Sequence, residues 1–171
     1  PLTPPHWPHN SLYIISDEGQ IINRYDKRMC SFTEVNRFYT PGSEPVIFDI
    51  DGFRFGCIIC VEINFPQLFM EYDQLGVDCL LLSAYPIDEI FYTKAVAHAA
   101  IHNYWIALSV PSECAYLMQS SLIGPNGLTL KQMKSGEGLI IEVMDKNAPE
   151  LDIALNKARP WRSSINTNEK Y

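Results

Sequence analysis

The sequence predicts a single α/β domain over residues 1–171, and three observations lead to this fold class. The middle of the chain alternates between strand and helix patterns with short connections. One predicted strand is apolar on both faces near its end, as a strand buried on both sides is. Apolar residues recur at helical spacing in the segments between the strands. Together these features predict a sheet with parallel crossovers whose helices cover it.

The first third of the chain predicts two hairpins after an irregular, proline-rich lead over residues 1–10. The predicted pairs of strands are residues 11–15 with 21–25, and residues 45–50 with 53–60. The second pair meets at Asp51-Gly52, which is a strong signal for a tight hairpin turn. Residues 28–44 lack clear periodicity and are expected to form a loop.

The middle third predicts the alternation of strands and helices. The predicted helices are residues 66–75 and 89–103, and the predicted strands are residues 77–83 and 104–110. Pro66 suits the first turn of a helix, and Gly76 ends that helix. The final third predicts a β-meander, a short helix and a tail. The predicted elements are strands at residues 120–124, 128–131 and 137–143, a helix within 149–158, and an extended tail over 160–171.

Composition excludes several classes of function. Charged residues make up 19% of the chain and the formal net charge is -7, with no lysine and arginine cluster. This argues against nucleic-acid binding, which rests on neutralising phosphates. No apolar run reaches ~18 residues, so no membrane span is expected. The five cysteines lie mostly within apolar runs, which favours a reducing compartment, the cytoplasm, over a disulfide framework.

Cys57 and Cys60 form a CIIC pair that has three possible interpretations. A structural zinc site usually needs four nitrogen or sulfur ligands, and no second pair follows. A redox pair sits at a helix N-terminus, whereas these residues lie in a strand pattern. In a strand, residues three apart point to opposite faces, so the two thiols should diverge. Two unrelated thiols are therefore the favoured interpretation.

Cys60 differs from Cys57 in its place along the predicted strand. It lies at the carboxyl end, just before the turn into the helix that begins at Pro66. Ligands bind at the carboxyl ends of strands in α/β sheets, and a sharp strand-to-helix turn presents a side chain outward. Position therefore makes Cys60 a candidate nucleophile, with simple packing as the alternative.

The motif GCIICVEINFPQL resembles the nucleophile motif of the nitrilase, or carbon-nitrogen hydrolase, superfamily. Upstream, INRYDK ending at Lys27 resembles the lysine motif of that family. Downstream, GVDCLLLSAYP, AHAAIHN, SLIGPNG and GEGL resemble its later segments in the same order. The resemblance runs from about residue 10 to 161. It implies an incomplete nitrilase-like α-β-β-α sandwich with mixed sheets.

The resemblance also implies a set of site residues. Cys60 would be the nucleophile, and Lys27 would stabilise the oxyanion together with the backbone N–H of Val61. Glu34 would position the substrate and the lysine, and Glu62 would support the turn that carries Cys60. The implied substrate-lining residues are Ser83, Ala84 and Tyr85. The thiolate and the lysine suffice for this chemistry, so no metal or organic cofactor is expected.

On the residues alone, Lys27 and Glu34 would be solvated and Tyr85 would be a packing residue. His98 and His102 are expected on a helix surface or at an interface.

One part of the family pattern is missing. The general-base glutamate of the family precedes the lysine motif, and the only glutamate before Lys27 is Glu18, in a hairpin turn. We expect the chain to cover about the C-terminal three-fifths of a family domain. It would then be a fragment, an inactive remnant, or a chain completed by another that supplies the base. An uncovered sheet edge favours a homo-oligomer, such as a dimer, or a complementing chain.

Three hypotheses follow for function. The first is a thiol hydrolase that cleaves non-peptide carbon-nitrogen bonds (amide, nitrile or carbamoyl) of small molecules through a Cys60 thioester. The second is a non-catalytic or complementation-dependent interaction module on the same scaffold. The third is a family acyltransferase that passes the acyl group to an amine. The sequence does not separate hydrolysis from transfer.

Overall fold

A six-stranded mixed sheet is the centre of the fold in the computed structural model, which describes residues 7–134 and 136–166. The strands are β1 (Ser11–Ile15), β2 (Ile21–Asp26), β3 (Ile47–Ile50), β4 (Phe53–Ile59), β5 (Cys79–Ser83), β6 (Trp105–Ser109), β7 (Ser121–Ile123) and β8 (Thr129–Gln132). The α-helices are α1 (Phe32–Arg37), α2 (Pro66–Gln74), α3 (Ile90–His102) and α4 (Arg159–Asn166). This mixed α/β architecture confirms the predicted fold class.

The strand order of the large sheet is β3-β4-β5-β6-β7-β8, and β1 pairs with β2 in a separate two-stranded sheet. Strands β4, β5 and β6 are parallel, because α2 and α3 make the crossovers between them. Ile59 pairs with Ser83, and Ser83 pairs with Ser109, so these three strands end side by side. The residues that follow them therefore meet at one edge of the sheet.

Helices α2 and α3 cover one face of the large sheet. The buried residues of this layer include Ile58, Leu80, Leu82 and Ile106 from the strands and Phe69, Tyr72, Ala95 and Ala99 from the helices. Gly56 permits the closest approach in this layer, since a Cβ there would lie 2.7 Å from the ring of Tyr72. The Tyr72 hydroxyl donates to the backbone carbonyl of Cys57 at 2.7 Å.

The β1–β2 hairpin packs on the opposite face of the sheet. Ile14 and Tyr25 from the hairpin bury against Cys57 and Ile59 of β4. Further along this face, Cys79, Trp105 and Leu122 pack with Leu151. Leu151 ends a short 3-10 turn, Pro149–Leu151, and a π-type helical segment, Ile153–Ala158, follows it. The predicted helix within residues 149–158 is thus present as two short helical segments.

Three sequence predictions about elements are wrong. Residues 32–37 form helix α1 instead of a loop, and the helix is capped reciprocally by Ser31 and Glu34. Residues 137–143 form no strand, and Leu139, Ile141 and Val143 remain about 80% exposed instead of burying one strand face. The tail predicted to be extended over 160–171 begins with helix α4, and residues 167–171 lie outside the described residues.

Helix α4 is held by two arginines that reach the ends of other elements. Arg162 donates to the Asn103 side chain at 2.9 Å and to the His102 carbonyl at 2.8 Å. Arg159 donates to the Val77 carbonyl at 2.7 Å. These bonds satisfy carbonyl groups at the end of α3 and beside β5. They explain why the tail folds back as a helix.

His98 and His102 are buried, so the prediction that they lie on a helix surface is wrong. His98 stacks on Phe69 with ring centroids 3.5 Å apart, and its Nε2 lies 3.1 Å from the Ile63 carbonyl oxygen. His102 stacks on Tyr104. The two rings belong to the α2–α3 packing layer.

Within residues 7–134 and 136–166, no group of three or more metal-ligating side chains is placed to hold an ion. None of the helices described there combines the length and hydrophobicity of a bilayer span.

Candidate active site

A cleft of about 410 Å³ opens where β4, β5 and β6 end together. Its lining comes from four parts of the chain. They are the segment after β2 that carries Lys27, helix α1 with Glu34, the last residues of β4, β5 and β6 with those that follow them, and one residue that precedes β1. The lining residues are Asn10, Lys27, Glu34, Ile59, Cys60, Ser83, Ala84, Tyr85, Ser109, Val110 and Pro111. The structure therefore brings Cys60, Lys27 and Glu34 to one cleft, together with Ser83, Ala84 and Tyr85.

Cys60 is the first residue after β4 and has a left-handed backbone, with φ of 52°. This conformation is uncommon for a residue with a side chain, and it marks a position that its surroundings hold in place. The preceding residue, Ile59, is extended, so the chain turns abruptly at Cys60 into the 3-10 turn Cys60–Asn64. The Cys60 Sγ lies 3.5 Å from the Tyr85 carbonyl oxygen, inside the cleft.

Cys57 occupies an unrelated environment. It is fully buried between β4 and the β1–β2 hairpin, among Ile14, Tyr25 and Ile59. Burial raises the pKa of its thiol to about 12, so it remains a neutral thiol at ordinary pH. The two cysteines of the CIIC motif point to different parts of the molecule, and the structure pairs neither in a disulfide.

Glu62 connects the turn at Cys60 to the lysine segment. Its buried carboxylate accepts hydrogen bonds from the backbone N–H of Ile59 at 2.7 Å and of Arg28 at 2.7 Å. It also accepts from the Met29 N–H at 3.0 Å and from the Tyr25 hydroxyl at 2.8 and 2.9 Å. The carboxylate does not line the cleft. Its contacts fix the position of the backbone on both sides of the site.

Tyr25 is one of the site residues that sequence reasoning missed. It lies on the inward face of β2, two residues before Lys27, and is fully buried. Burial and the nearby Glu62 carboxylate raise the pKa of its hydroxyl well above the usual value, so the hydroxyl keeps its proton and donates it to Glu62. Tyr25 lies between Arg24 and Lys27 in the INRYDK motif, and this position could have indicated its role in the site.

Lys27 and Glu34 form a tight ion pair at the cleft. The Lys27 ammonium lies 2.8 and 2.7 Å from the two carboxylate oxygens of Glu34, and only 2% of the lysine side chain is exposed. Glu34 also accepts the Ser31 backbone N–H at 2.7 Å. Burial disfavours the Glu34 carboxylate, but the Lys27 and Ser31 hydrogen bonds outweigh burial and lower its pKa to about 2. Glu34 is therefore ionised across the ordinary pH range.

Asn10 is a second site residue that the sequence analysis missed. Its side-chain amide donates to Glu34 at 3.2 Å, and its backbone carbonyl accepts the Lys27 N–H at 2.9 Å. It lines the cleft directly before β1. The signal available in the sequence was only its position at the start of the first strand, across the hairpin from Lys27.

The end of β6 adds Ser109, Val110 and Pro111, which the parallel register places beside Ser83.

The remaining predicted site residues occupy different places around the cleft. Ala84 is buried and its N–H donates to the Ser109 carbonyl at 2.9 Å, whereas Tyr85 is 58% exposed at the rim. Val61 follows Cys60 in the 3-10 turn, where backbone N–H groups lack a partner within the helix. Glu18 lies in the exposed turn between β1 and β2 and is absent from the cleft. Of the described residues that line the cleft, Glu34 is the one carboxylate.

Comparison with known proteins identifies the family of the chain. The family model for carbon-nitrogen hydrolases matches residues 2–150. The chain is 27% identical over 146 residues to the 2-oxoglutaramate amidase of Bacillus subtilis, which covers 80% of this chain and 56% of that protein. It is 26% identical over 167 residues to a probable nitrilase of Schizosaccharomyces pombe, covering 93% of this chain and 58% of that protein.

Solved structures share the fold. A carbon-nitrogen hydrolase superfamily protein of Xanthomonas campestris, crystallised with an arsenic adduct in its active site, superposes with a TM-score of 0.74 at 17% identity. The alignment covers 95% of this chain and 64% of that one. The NitN amidase of Nesterenkonia gives a TM-score of 0.69 at 15% identity, covering 94% of this chain and 63% of that one. The chain thus spans only about half to two-thirds of the length of these relatives, and over that span it belongs to the carbon-nitrogen hydrolase family.

Proposed function

We propose that this chain carries the nucleophile side of a thiol hydrolase that cleaves amide, nitrile or carbamoyl bonds of small molecules. The observation that carries the proposal is the left-handed Cys60, whose sulfur opens into the cleft that also holds the Lys27–Glu34 pair. A side chain held at a strained strand-to-helix turn, beside a buried ammonium, is suited to covalent catalysis.

The reaction begins when the Cys60 thiolate adds to the carbon of the substrate amide. A carbon–sulfur bond forms, and the π electrons move to the carbonyl oxygen. The Lys27 ammonium and the Val61 backbone N–H stabilise that negative charge. The amide nitrogen takes up the proton that a general base removed from the Cys60 thiol, and it leaves as ammonia when the intermediate collapses to a Cys60 thioester. Water then attacks the thioester, which releases the carboxylic acid and restores the thiol.

The step that ionises Cys60 needs a base. The one carboxylate among the described cleft residues, Glu34, is already bound to Lys27. We propose that the general-base glutamate comes from the part of the family domain that this chain does not span, in the same polypeptide or in a complementing chain. Without that base, turnover should fall by about 10²–10⁴-fold, which is the usual contribution of general acid–base catalysis.

A complementation-dependent module is the second candidate function, and it is favoured by the same lack of a free carboxylate in the described cleft. Acyl transfer to an amine uses the same thioester and is the third. We also propose that the protein works in the cytoplasm, since its five cysteines are free thiols, and that it assembles as a homo-oligomer or with a complementing chain.

Two alanine variants test the role of Cys60. The purified chain and its variants are incubated with small amides and nitriles, and ammonia release and acyl adducts are measured by mass spectrometry. Cys60→Ala should abolish both signals. Cys57→Ala removes a buried thiol of the same motif and should keep most of the signal, at a cost of about 1 kcal/mol or more in stability. Equal loss in the two variants would contradict the assignment.

A further inference from the structure

We propose that Asn64 and Lys94 are positioning residues, which hold the Val61 backbone N–H where it stabilises the oxyanion. Neither side chain lines the cleft, so helix α3, which carries Lys94, would act on the reaction from outside it. This inference rests on the proposed function, because it takes Cys60 as the nucleophile and Val61 as an oxyanion donor. It goes beyond that function by assigning two residues that direct the donor.

The first observation is a hydrogen bond within the turn that carries Cys60. The Asn64 side-chain amide donates to the Val61 carbonyl at 3.1 Å. Val61 directly follows the left-handed Cys60, where the chain turns abruptly after β4. Since each residue has only two soft backbone dihedrals, a fixed carbonyl restricts the rotation of Val61 and the direction of its N–H. The bond therefore helps to preorganise the oxyanion donor before the substrate reacts.

The second observation is that helix α3 holds Asn64 in turn. The Lys94 ammonium donates to the side-chain oxygen of Asn64 at 2.7 Å. An ammonium only donates hydrogen bonds and a backbone carbonyl only accepts them. The two ends of the Asn64 amide therefore cannot exchange places without losing both bonds. Lys94 fixes the amide in the orientation that binds Val61.

The third observation is that the same helix holds the turn at a second point. His98 lies one helical turn after Lys94, and its Nε2 donates to the Ile63 carbonyl at 3.1 Å. Stacking on Phe69 keeps the ring in place for this bond. Among the described residues, Nδ1 of His98 is buried without a hydrogen-bond partner, a cost that a phenylalanine in the same stack would avoid. The bond to the turn therefore explains the imidazole better than packing alone.

Together these bonds hold the turn from two sides. Glu62 ties the turn to the lysine segment, and α3 ties it at Ile63 and Asn64. The three residues after Val61 are thus each bonded to another element of the fold. The backbone at Val61 has little freedom to move away from a reacting carbonyl group, and a small misplacement of such a donor is costly to the rate.

Two reactions of Cys60 in the full chain separate the oxyanion donor from the sulfur itself. With p-nitrophenyl acetate, the thiolate adds to the ester carbonyl carbon, and the oxyanion intermediate expels p-nitrophenolate to leave an acetyl thioester. This leaving group departs without a proton, so no general acid is required. Iodoacetamide alkylates the same sulfur by displacing iodide, and no oxyanion forms. Peptide mapping measures the rates of acetylation and alkylation at Cys60.

Two variants of the exposed Asn64 test its bond to Val61. Asn64→Asp has the same shape and keeps an acceptor for Lys94, but it replaces the donor to the Val61 carbonyl with an acceptor. Asn64→Ala removes both bonds. Each should lower the acetylation rate at Cys60 by about tenfold, which is less than the ~10²–10³-fold cost of losing an oxyanion donor outright. The alkylation rate should be little changed, because that reaction does not use the donor.

A third variant tests the part that α3 plays. Lys94→Met should also slow acetylation, and the double variant with Asn64→Ala should be no slower than Asn64→Ala alone, because Lys94 acts through Asn64. Asn156→Ala is the matched control. Asn156 is exposed and does not line the cleft, and its amide donates to Asp152 at 3.1 Å. The control should change neither rate.

Several results would overturn the inference. Equal losses of acetylation and alkylation in Asn64→Asp would show that Asn64 only supports the turn. Additive effects of Lys94→Met and Asn64→Ala would show that Lys94 does not act through Asn64. Fast acetylation of Cys60 that neither Asn64 variant slows would refute this inference and leave the proposed function standing. A Cys60 that reacts with neither reagent above the rate of the other thiols would refute both.

Discussion

At the scale of single residues, the environment of each cysteine decides what its thiol can do. Burial raises the pKa of Cys57 and Cys79 to about 12, and burial is also the first cause of the raised pKa values of Cys30 and Cys114. Cys60 instead lines the cleft and is only partly buried, at the left-handed position where the chain turns after β4. The same residue type is thus a small packing unit at one position and a candidate nucleophile at another.

The Lys27–Glu34 pair gives a prediction about pH. The pKa of Glu34 in the folded chain is about 2, below its ordinary value of 4.5, so its ionised form stabilises the fold above pH 4.5. This contribution is lost as the pH falls from 4.5 through about 2. The difference in free energy of unfolding between the unmodified chain and Glu34→Gln should be constant from pH 8 to 5 and shrink at pH 3.

Urea unfolding followed by circular dichroism at pH 8, 5 and 3 measures this difference. A difference that grows on acidification, or that is the same at pH 3 as at pH 8, would show that the Lys27 contact does not hold Glu34 in its ionised form.

At the scale of elements, the site is assembled by two connections between neighbouring segments. Parallel pairing brings the ends of β4, β5 and β6 to one edge, and Glu62 joins the turn after β4 to the segment after β2. A buried carboxylate that accepts several donors is costly to leave unsatisfied. The lysine and cysteine motifs therefore depend on each other for their positions, although 33 positions separate Lys27 from Cys60.

Tyr25→Phe tests this connection between the elements. The change removes the hydroxyl that donates to Glu62 and should destabilise the chain by about 1.5–3 kcal/mol, the usual contribution of a hydrogen bond to a charged group. Tyr13→Phe is the matched control, because Tyr13 lies on the outer face of β1 and is 51% exposed. Denaturant unfolding measures both variants. Similar small effects in the two variants would show that the Tyr25–Glu62 bond contributes little.

Most elements around the site could be predicted from the sequence, because their signals are local. The Asp51-Gly52 turn, Pro66 at the start of α2 and Gly76 after it each act through their own backbone preferences. Helix α1 buries no residue, so its sequence lacks apolar residues at helical spacing. The only local signal for this helix is the capping box formed by Ser31 and Glu34. Contacts such as Asn10 with Glu34 join residues far apart in the chain, so spacing could not reveal them.

At the scale of the whole molecule, the two faces of the structure differ in how well they are covered. Helices α2 and α3 pack on one face of the large sheet, whereas the β1–β2 hairpin on the other face pairs with no other strand within residues 7–134 and 136–166. Tyr13, Ile15, Ile21 and Ile22 of this hairpin are 51–64% exposed. A two-stranded sheet with free edges and exposed apolar side chains is a site for association. This supports the proposal of an oligomer or a complementing chain.

Association through the hairpin can be tested by charge. The double variant Ile15→Lys and Ile22→Lys should reduce self-association, because it places two cations on the exposed hairpin. Ile87→Lys is the control, since Ile87 is 87% exposed in the loop before α3. Size-exclusion chromatography with light scattering measures the mass. A monomeric unmodified chain at tens of micromolar, or equal effects of the hairpin and control variants, would contradict an interface there.

The central claim is that Cys60 is the nucleophile, and the most direct test is the reactivity of the five cysteines measured side by side. The native chain is treated with limiting iodoacetamide near pH 7, and each cysteine is quantified by peptide mapping. Cys60 should be alkylated at least about tenfold faster than Cys57, Cys79 and Cys114, which are buried, and faster than Cys30. Alkylation of Cys60 at the same rate as the other thiols would contradict the account.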